Sequence, residues 1–165
     1  MINSFDPIAD ENSEILILGS IPSLKSLEKF QYYGHPQNAF WWIMGELLGF
    51  DYKIDYELRK SQLIKNKIAL WDVLKECERK GSLDAAIVSK TIQINDFLTF
   101  LKKHTSIKKI LFNGKKAKIE FKKRIPSEIY TLYPHITYIS LPSTSPAMAL
   151  LNKSAKLAKW RVNIK

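Results

Sequence analysis

The residues best suited to chemistry lie in a few short stretches. Gln31-Tyr32-Tyr33-Gly34-His35-Pro36-Gln37-Asn38 gathers aromatic rings, an imidazole and carboxamides just before a helical pattern. Aromatic faces can stack on a nucleobase and carboxamides can hydrogen-bond one. Asn38 stands where a helix N-cap would stand, and its carboxamide could equally hold a water molecule. Of Phe40, Trp41 and Trp42, which follow, at least one belongs in the core. Gly19-Ser20-Ile21-Pro22-Ser23 follows an apolar run. Gly19 permits close backbone approach to a ligand and Pro22 stiffens the turn. Ser20 and Ser23 offer hydroxyls, and the loop's amides can receive a carbonyl or phosphate oxygen. A strand-to-helix turn with a serine cap accounts for the same five residues. Pro142-Ser143-Thr144-Ser145-Pro146-Ala147 is a second rigid hydroxyl-rich loop, able to contact phosphates. Met148 and Leu150 beyond it could form an apolar wedge for a duplex or pack in the core.

Other chemistry is thinly represented. The glycine spacing of neither a Walker loop nor a dinucleotide-binding turn occurs, and no Gly-x-Ser-x-Gly elbow is found. His35, His104 and His135 lack carboxylates or cysteines at ligand spacing, so no metal site is expected. Ser82-Leu83-Asp84 reads as a helix cap rather than part of a hydrolase triad. The single cysteine, Cys77, excludes an internal disulfide, argues against an iron–sulfur cluster and reads as a small buried residue.

Charge is unevenly divided. Residues 1–100 carry 11 Lys+Arg against 14 Asp+Glu, net −3, whereas residues 101–165 carry 15 against 2, net +13. A cationic C-terminal part suggests a polyanionic partner, nucleic acid first, although lysine-rich coding bias gives a similar excess. No apolar stretch approaches the length of a membrane span and no secretory signal is visible, so a cytoplasmic protein is expected.

Four apolar runs can position these loops: Ile15–Leu18, Ile68–Val73, Ile107–Phe112 and Ile136–Leu141. None alternates cleanly with polar residues, the habit of parallel strands covered on both faces. Between them the spacing predicts helices over Asn38–Leu48, stopped by Gly49, and over Tyr56–Ile64, Thr91–His104, Lys115–Arg124 and Ala147–Trp160. In the last of these Leu150, Leu151 and Leu157 face the core. Alternation of this kind predicts an α/β fold, a three-layer α/β/α sandwich around a four-stranded parallel sheet, with residues 1–165 as one domain. Ligands of open α/β sheets bind beyond the carboxyl ends of the strands. Gly19–Ser23, Asp72, Asn113-Gly114 and Pro142–Pro146 all fall there, which converges four strand ends on one rim.

The chain resembles the uracil-DNA glycosylase superfamily, and within it the hypoxanthine-DNA (deoxyinosine) glycosylase branch. The matching pieces are GSIPS at 19–23, SLEKFQYYGHPQNAFWWIM at 26–44, ALWDVLKECERKGSLDAAI at 69–87, ILFNGKKA at 110–117 and LPSTSPAMA at 141–149. The resemblance implies a monofunctional hydrolase that removes a flipped deaminated base from DNA with no metal or other cofactor. It implies that amides of Gly19, Ser20, Ile21 and Ser23 receive the base carbonyl, that Tyr33 or Phe40 stacks on the base, and that the Asp72 carboxylate accepts a ring N–H. Ser143, Thr144, Ser145, Pro146 and Ala147 would pinch the DNA backbone and fill the vacated stack. Many relatives carry the water-handling residue just after the first glycine; here Ser20, Ile21 and Pro22 stand there and cannot do that work. The resemblance moves the role to Asn38 of the His-Pro-x-Asn segment. The expected partner is DNA containing deaminated bases, hypoxanthine first and uracil or xanthine next, with no membrane and a monomeric state. An enzyme of the same fold restricted to uracil or mismatches, or a non-catalytic DNA-binding module, remains open at this point.

Overall fold

A computed structural model describes residues 1–164. In chain order the elements are β1 (Ile2–Asn3), β2 (Ile15–Gly19), α1 (Leu24–Lys29), α2 (Phe40–Leu48), α3 (Tyr56–Lys65), β3 (Ile68–Asp72), β4 (Leu74–Cys77), β5 (Gln93–Ile94), α4 (Phe97–Lys103), β6 (Lys109–Asn113), α5 (Lys115–Arg124), α6 (Glu128–Leu132), β7 (Thr137–Leu141) and α7 (Lys153–Ile164). Strands β3, β2, β6 and β7 form the parallel sheet in that order, as the continuous apolar runs predicted. Leu16, Leu18 and Phe112 point into a core shared with Phe97 and Phe100 of α4 and Phe121 of α5. Ile17, Leu70 and Leu111 point the other way, against Phe40 and Met44 of α2 and Trp160 of α7. One apolar cluster on each face makes the layers α/β/α, and both faces of the strands are covered for that reason. Cys77 is buried.

The chain enters the sheet at its centre, runs from β2 outward to β3, then returns across to β6 on the other side of β2. That reversal opens a crevice at the carboxyl ends of β2 and β6. A second, three-stranded antiparallel sheet, β1–β4–β5, is absent from the sequence reading. Its strands are two to four residues long, too short to show a period of two.

Two helices differ from expectation. Thr91–His104 is helical only from Phe97; Gln93–Ile94 pairs with β4 instead. Asp96 sets the boundary by accepting the Thr99 N–H at 3.0 Å, a capping bond that wins over the apolar spacing upstream. Ala147–Trp160 is helical only from Lys153, after Asn152 accepts the Ala155 N–H. Residues 147–152 bury little surface: Leu150 is 89% exposed rather than core-facing, and Met148 and Leu151 are only half-buried. Propensity alone does not hold a short helix in water.

Helix α2 ends at Gly49 in a left-handed C-cap, as its glycine predicted, and Phe50 folds back so that its N–H also reaches the Gly45 carbonyl. This return passes so close to Gly45 that a Cβ there would lie 2.6 Å from the Phe50 carbonyl oxygen. Gly45→Ala should therefore destabilise the fold by roughly 1–3 kcal/mol in thermal or urea unfolding, despite alanine's better helix propensity.

Candidate active site

The four strand ends do meet. Gly19, Asp72, Asn113 and Leu141 border one cleft of about 1,110 Å³, which also takes in Asn38 and the loop from Pro142 to Leu150. The loop after Gly19 is held on both sides. Val73 and Leu74 donate to the carbonyls of Gly19 and Ser20 at 2.8 and 3.0 Å, and the Arg79 guanidinium donates to the Pro22 carbonyl at 2.7 Å. Its serine hydroxyls are already engaged. Ser20 donates to Asp84 at 2.8 Å, and Ser23 caps α1 by accepting the Ser26 N–H. The cap reading of Ser23 is thus realised, and what the loop offers a ligand is its backbone. The N–H groups of Ser20, Ile21 and Ser23 donate to no acceptor among the described residues. Unpartnered amides converging on a cleft form a site for a carbonyl oxygen or an anion.

Tyr32 anchors the next segment: it is buried, its hydroxyl donates to the Asp6 carbonyl at 2.8 Å, and its own carbonyl accepts from Trp41 Nε1 at 2.8 Å. Tyr33 then adopts a left-handed backbone, φ 53°, which turns its ring into the cleft. Phe40 lies directly behind, stacked on Tyr33 with ring centroids 4.2 Å apart, and is 0% exposed. Phe40 does not reach the cleft wall; the aromatic surface open to a ligand is that of Tyr33. Gly19 is what lets these groups crowd together, since a Cβ on it would lie 2.6 Å from Asp72 Oδ1 and 2.7 Å from the Tyr33 hydroxyl. Asp72 Oδ2 and the Tyr33 hydroxyl are both buried without a partner. Buried polar atoms of that kind are rare in proteins and demand an explanation. Burial pushes the Asp72 carboxyl up to about 7, with the Asp84 charge adding and Arg79 opposing. Burial first, then the Asp72 charge, raises the Tyr33 phenol well above its ordinary range, so it stays neutral.

Asn38 sits two residues ahead of helix α2, whose cap is Ala39. Its Oδ1 accepts the Phe40 N–H at 3.0 Å, fixing the carboxamide, while its Nδ2 carries no hydrogen bond among the described residues. The helix-start role therefore leaves Nδ2 with hydrogen-bonding capacity at the edge of the cleft. The adjacent Ala39 N–H donates to the Thr144 carbonyl at 3.0 Å, which ties this segment to the proline-flanked loop. Asn113 closes the assembly: Thr144 N–H donates to Asn113 Oδ1 at 2.9 Å and Asn113 Nδ2 donates to Thr144 Oγ1 at 3.0 Å. Thr144 is thereby 1% exposed and its hydroxyl is spent inside the protein, whereas Pro146 and Ala147 are exposed and Ser143 and Ser145 partly so. Ser143 Oγ accepts the Ser145 N–H and Ser145 Oγ accepts the Ala147 N–H, bending the loop outward to Leu150.

Three contributors escaped the sequence reading. Asn113 is marked in the sequence only by its place after a strand. Ser82-Leu83-Asp84 reads as a cap, and Ser82 does accept the Leu24 N–H at the start of α1 at 2.9 Å, but Asp84 holds Ser20. Lys156 is 4% exposed and donates from Nζ to the Ser145 carbonyl at 3.0 Å, supporting the loop from beneath. Its spacing with Trp160 and Ile164 on the buried stripe of α7 was the available signal. Lys115 and Lys116 of α5 border the cleft, consistent with the cationic C-terminal part. Among the described residues no group of three or more His, Cys, Asp or Glu side chains could hold a metal, and no helix is long and apolar enough to cross a membrane.

Because the Asp72 carboxyl is raised in the folded protein, its neutral form stabilises the fold at acidic pH, and that contribution is lost as pH climbs through about 7. A shift of this size corresponds to roughly 4 kcal/mol at most. Asp72→Asn should raise the melting temperature relative to wild type at pH 8, and the gain should shrink toward pH 4, as followed by differential scanning fluorimetry.

Comparison with known proteins agrees with this geometry. Residues 6–164 match the model of the uracil DNA glycosylase superfamily. A hypoxanthine DNA glycosylase of Methanosarcina barkeri is 47% identical over 114 residues, 68% of this chain and 71% of that one. Its counterpart from Methanosarcina acetivorans is 44% identical over the same shares. The solution NMR structure of a candidate uracil DNA glycosylase from Methanosarcina acetivorans superposes with a TM-score of 0.81 at 36% identity, covering 99% of this chain and 97% of the other. With fold, strand-end cleft and sequence in agreement, the chain belongs to the uracil DNA glycosylase superfamily.

Proposed function

We propose that this protein is a monofunctional DNA glycosylase that hydrolyses the N-glycosidic bond of hypoxanthine in DNA. The observation that carries the reading is the joint placement of Asn38, the free amides of the Gly19 loop and the Ser143–Ala147 loop around one cleft, with Ala39 bonded to Thr144. The relatives named hypoxanthine DNA glycosylase support the choice of base.

The mechanism follows from what each group can do. Lys115, Lys116 and the exposed part of the proline-flanked loop draw in the DNA backbone. A nucleotide leaves the stack, which is easiest for a mispaired base, and enters the cleft. Leu150, exposed and apolar at the end of that loop, fills the vacated space. Tyr33 stacks on the base, Asp72 hydrogen-bonds it at the pocket floor, and the N–H groups of Ser20, Ile21 and Ser23 take its carbonyl oxygen. Those amides gain most as negative charge moves onto the departing base. Adenine has an amino group in place of that carbonyl and would set donor against donor, so the same amides favour a deaminated base. Asn38, its Oδ1 steadied by the Phe40 N–H, orients water toward the anomeric carbon. Cytoplasmic location and a monomeric state go with this reading.

Two measurements test it. Purified protein incubated with duplexes carrying hypoxanthine, uracil or xanthine, followed by alkali, should give strand breaks at hypoxanthine; binding without any break would leave only a DNA-binding module. Asn38→Ala should still bind hypoxanthine-containing DNA in a gel-shift assay but excise on the order of 100-fold more slowly, because water is no longer positioned. Wild-type excision by that variant would remove Asn38 from the reaction.

A further inference from the structure

The pocket floor holds a carboxyl group that simple hydrogen-bond reading of a base does not account for. Asp72 is 3% exposed, forms no ion pair, and its Oδ2 has no partner. Arg79 is the cation whose charge acts on it, yet the guanidinium makes no ion pair with Asp72: Nε donates to the Gly81 carbonyl, one terminal nitrogen donates to the Pro22 carbonyl, and the other is buried without a partner. A carboxylate buried without an ion pair and with an unpartnered oxygen is expensive, whereas a neutral carboxyl in the same place is tolerable and carries a proton at the lining of the cleft. Hypoxanthine has an acceptor for that proton. Its imidazole nitrogen N7 bears a free lone pair, next to the carbonyl that the Gly19-loop amides receive. Uracil has no ring nitrogen lone pair, since N3 carries hydrogen and N1 bears the sugar.

Building on the hypoxanthine reading, we propose that Asp72 is the general acid of the reaction, protonating N7 of the departing purine through its carboxyl O–H. As the C1′–N9 bond breaks, its electron pair passes into the base and the Asp72 proton forms the N7–H bond. Water held by Asn38 forms the new bond to C1′ and releases its proton to solvent. Hypoxanthine leaves neutral, and Asp72 regains a proton from solvent once the pocket empties. The step makes the pocket selective for purines among deaminated bases, since uracil offers nothing to protonate at a ring nitrogen. It also gives the opposite pH response from a carboxylate that accepts a ring N–H. The groups facing Asp72 are Asp84 and Arg79 from the segment after β4, Tyr32 and Tyr33 from the loop before α2, and Tyr56 of α3. His35, Lys115 and Lys116 border the same cleft. Burial raises all three tyrosines, which stay neutral through the range of interest. Burial likewise places the Asp72 carboxyl at about 7, where a general acid serves best near neutrality.

The test is single-turnover excision of hypoxanthine from duplex DNA between roughly pH 5.5 and 9, with binding measured on a duplex carrying 2′-fluoro-2′-deoxyinosine, whose glycosidic bond resists cleavage. The wild-type rate should fall about tenfold per pH unit above neutrality, as the acid form is titrated away. Asp72→Asn, which can still donate a hydrogen bond but no proton, should bind the fluorinated duplex as wild type does. It should excise on the order of 100-fold more slowly at pH 6 and lose the alkaline fall, since general acid catalysis is worth that much or more. His35→Gln should keep the fall. Excision by Asp72→Asn at the wild-type rate, or a wild-type rate that rises with pH, overturns the general-acid role and leaves the hypoxanthine reading standing. Failure of the wild type to excise hypoxanthine at any pH overturns that reading and this inference together.

Discussion

The two-way hydrogen bond between the Asn113 carboxamide and Thr144 is the joint on which the site depends. It is buried, and both partners would be costly to leave unpaired. Through it the end of β6 fixes the proline-flanked loop, and through the Thr144 carbonyl that loop fixes Ala39 and with it Asn38. Residues separated by more than a hundred positions in the chain thus share one rigid frame. The sheet supplies the base of this frame and neither α2 nor α7 alone could: α2 starts at the joint, and α7 braces it from below through Lys156.

The same economy governs the polar groups of the first loop. Side chains that look available, Ser20 and Ser23, are consumed in holding the loop's shape, and this leaves the backbone amides as the groups with hydrogen-bonding capacity to spare. Amides carried on a fixed turn cannot rotate away from a developing charge, which is the property electrostatic catalysis asks of them. Asp72 and Tyr33 complete the wall as groups whose ionisation burial opposes, brought together by the lack of a side chain at Gly19.

Much of this was legible beforehand because it rests on local rules. Continuous apolar runs gave the parallel strands, Gly49 gave the end of α2, and the basic helix Lys115–Arg124 appears with its expected bounds. Strand ends marked the site because any open α/β sheet gathers its loops there. What could not be read was decided by distant contacts. Phe40 and Tyr33 are both aromatic and close in sequence, yet only the left-handed turn at Tyr33 determines which faces the cleft. Thr144 resembles its serine neighbours but is claimed by Asn113, far away in the chain. The stretch 147–152 has a largely helical composition and remains irregular because little of it is covered, and Thr91–His104 yields to a cap at Asp96 and to pairing with β4.

Burial is not evenly spread across the parallel sheet. Every residue of β3 is buried, while β7, at the opposite edge, is exposed at Thr137 and Ser140 and fully buried only at Leu141. The loop bearing Leu150 follows β7, the most exposed strand of the sheet, whereas Gly19 and Asp72 stand at the ends of covered ones. Elements with little buried surface open at small free-energy expense. In the proposed function this division lets Leu150, which lies beyond the Thr144 joint, enter and leave a duplex while the frame around Asp72 and Asn113 keeps its form.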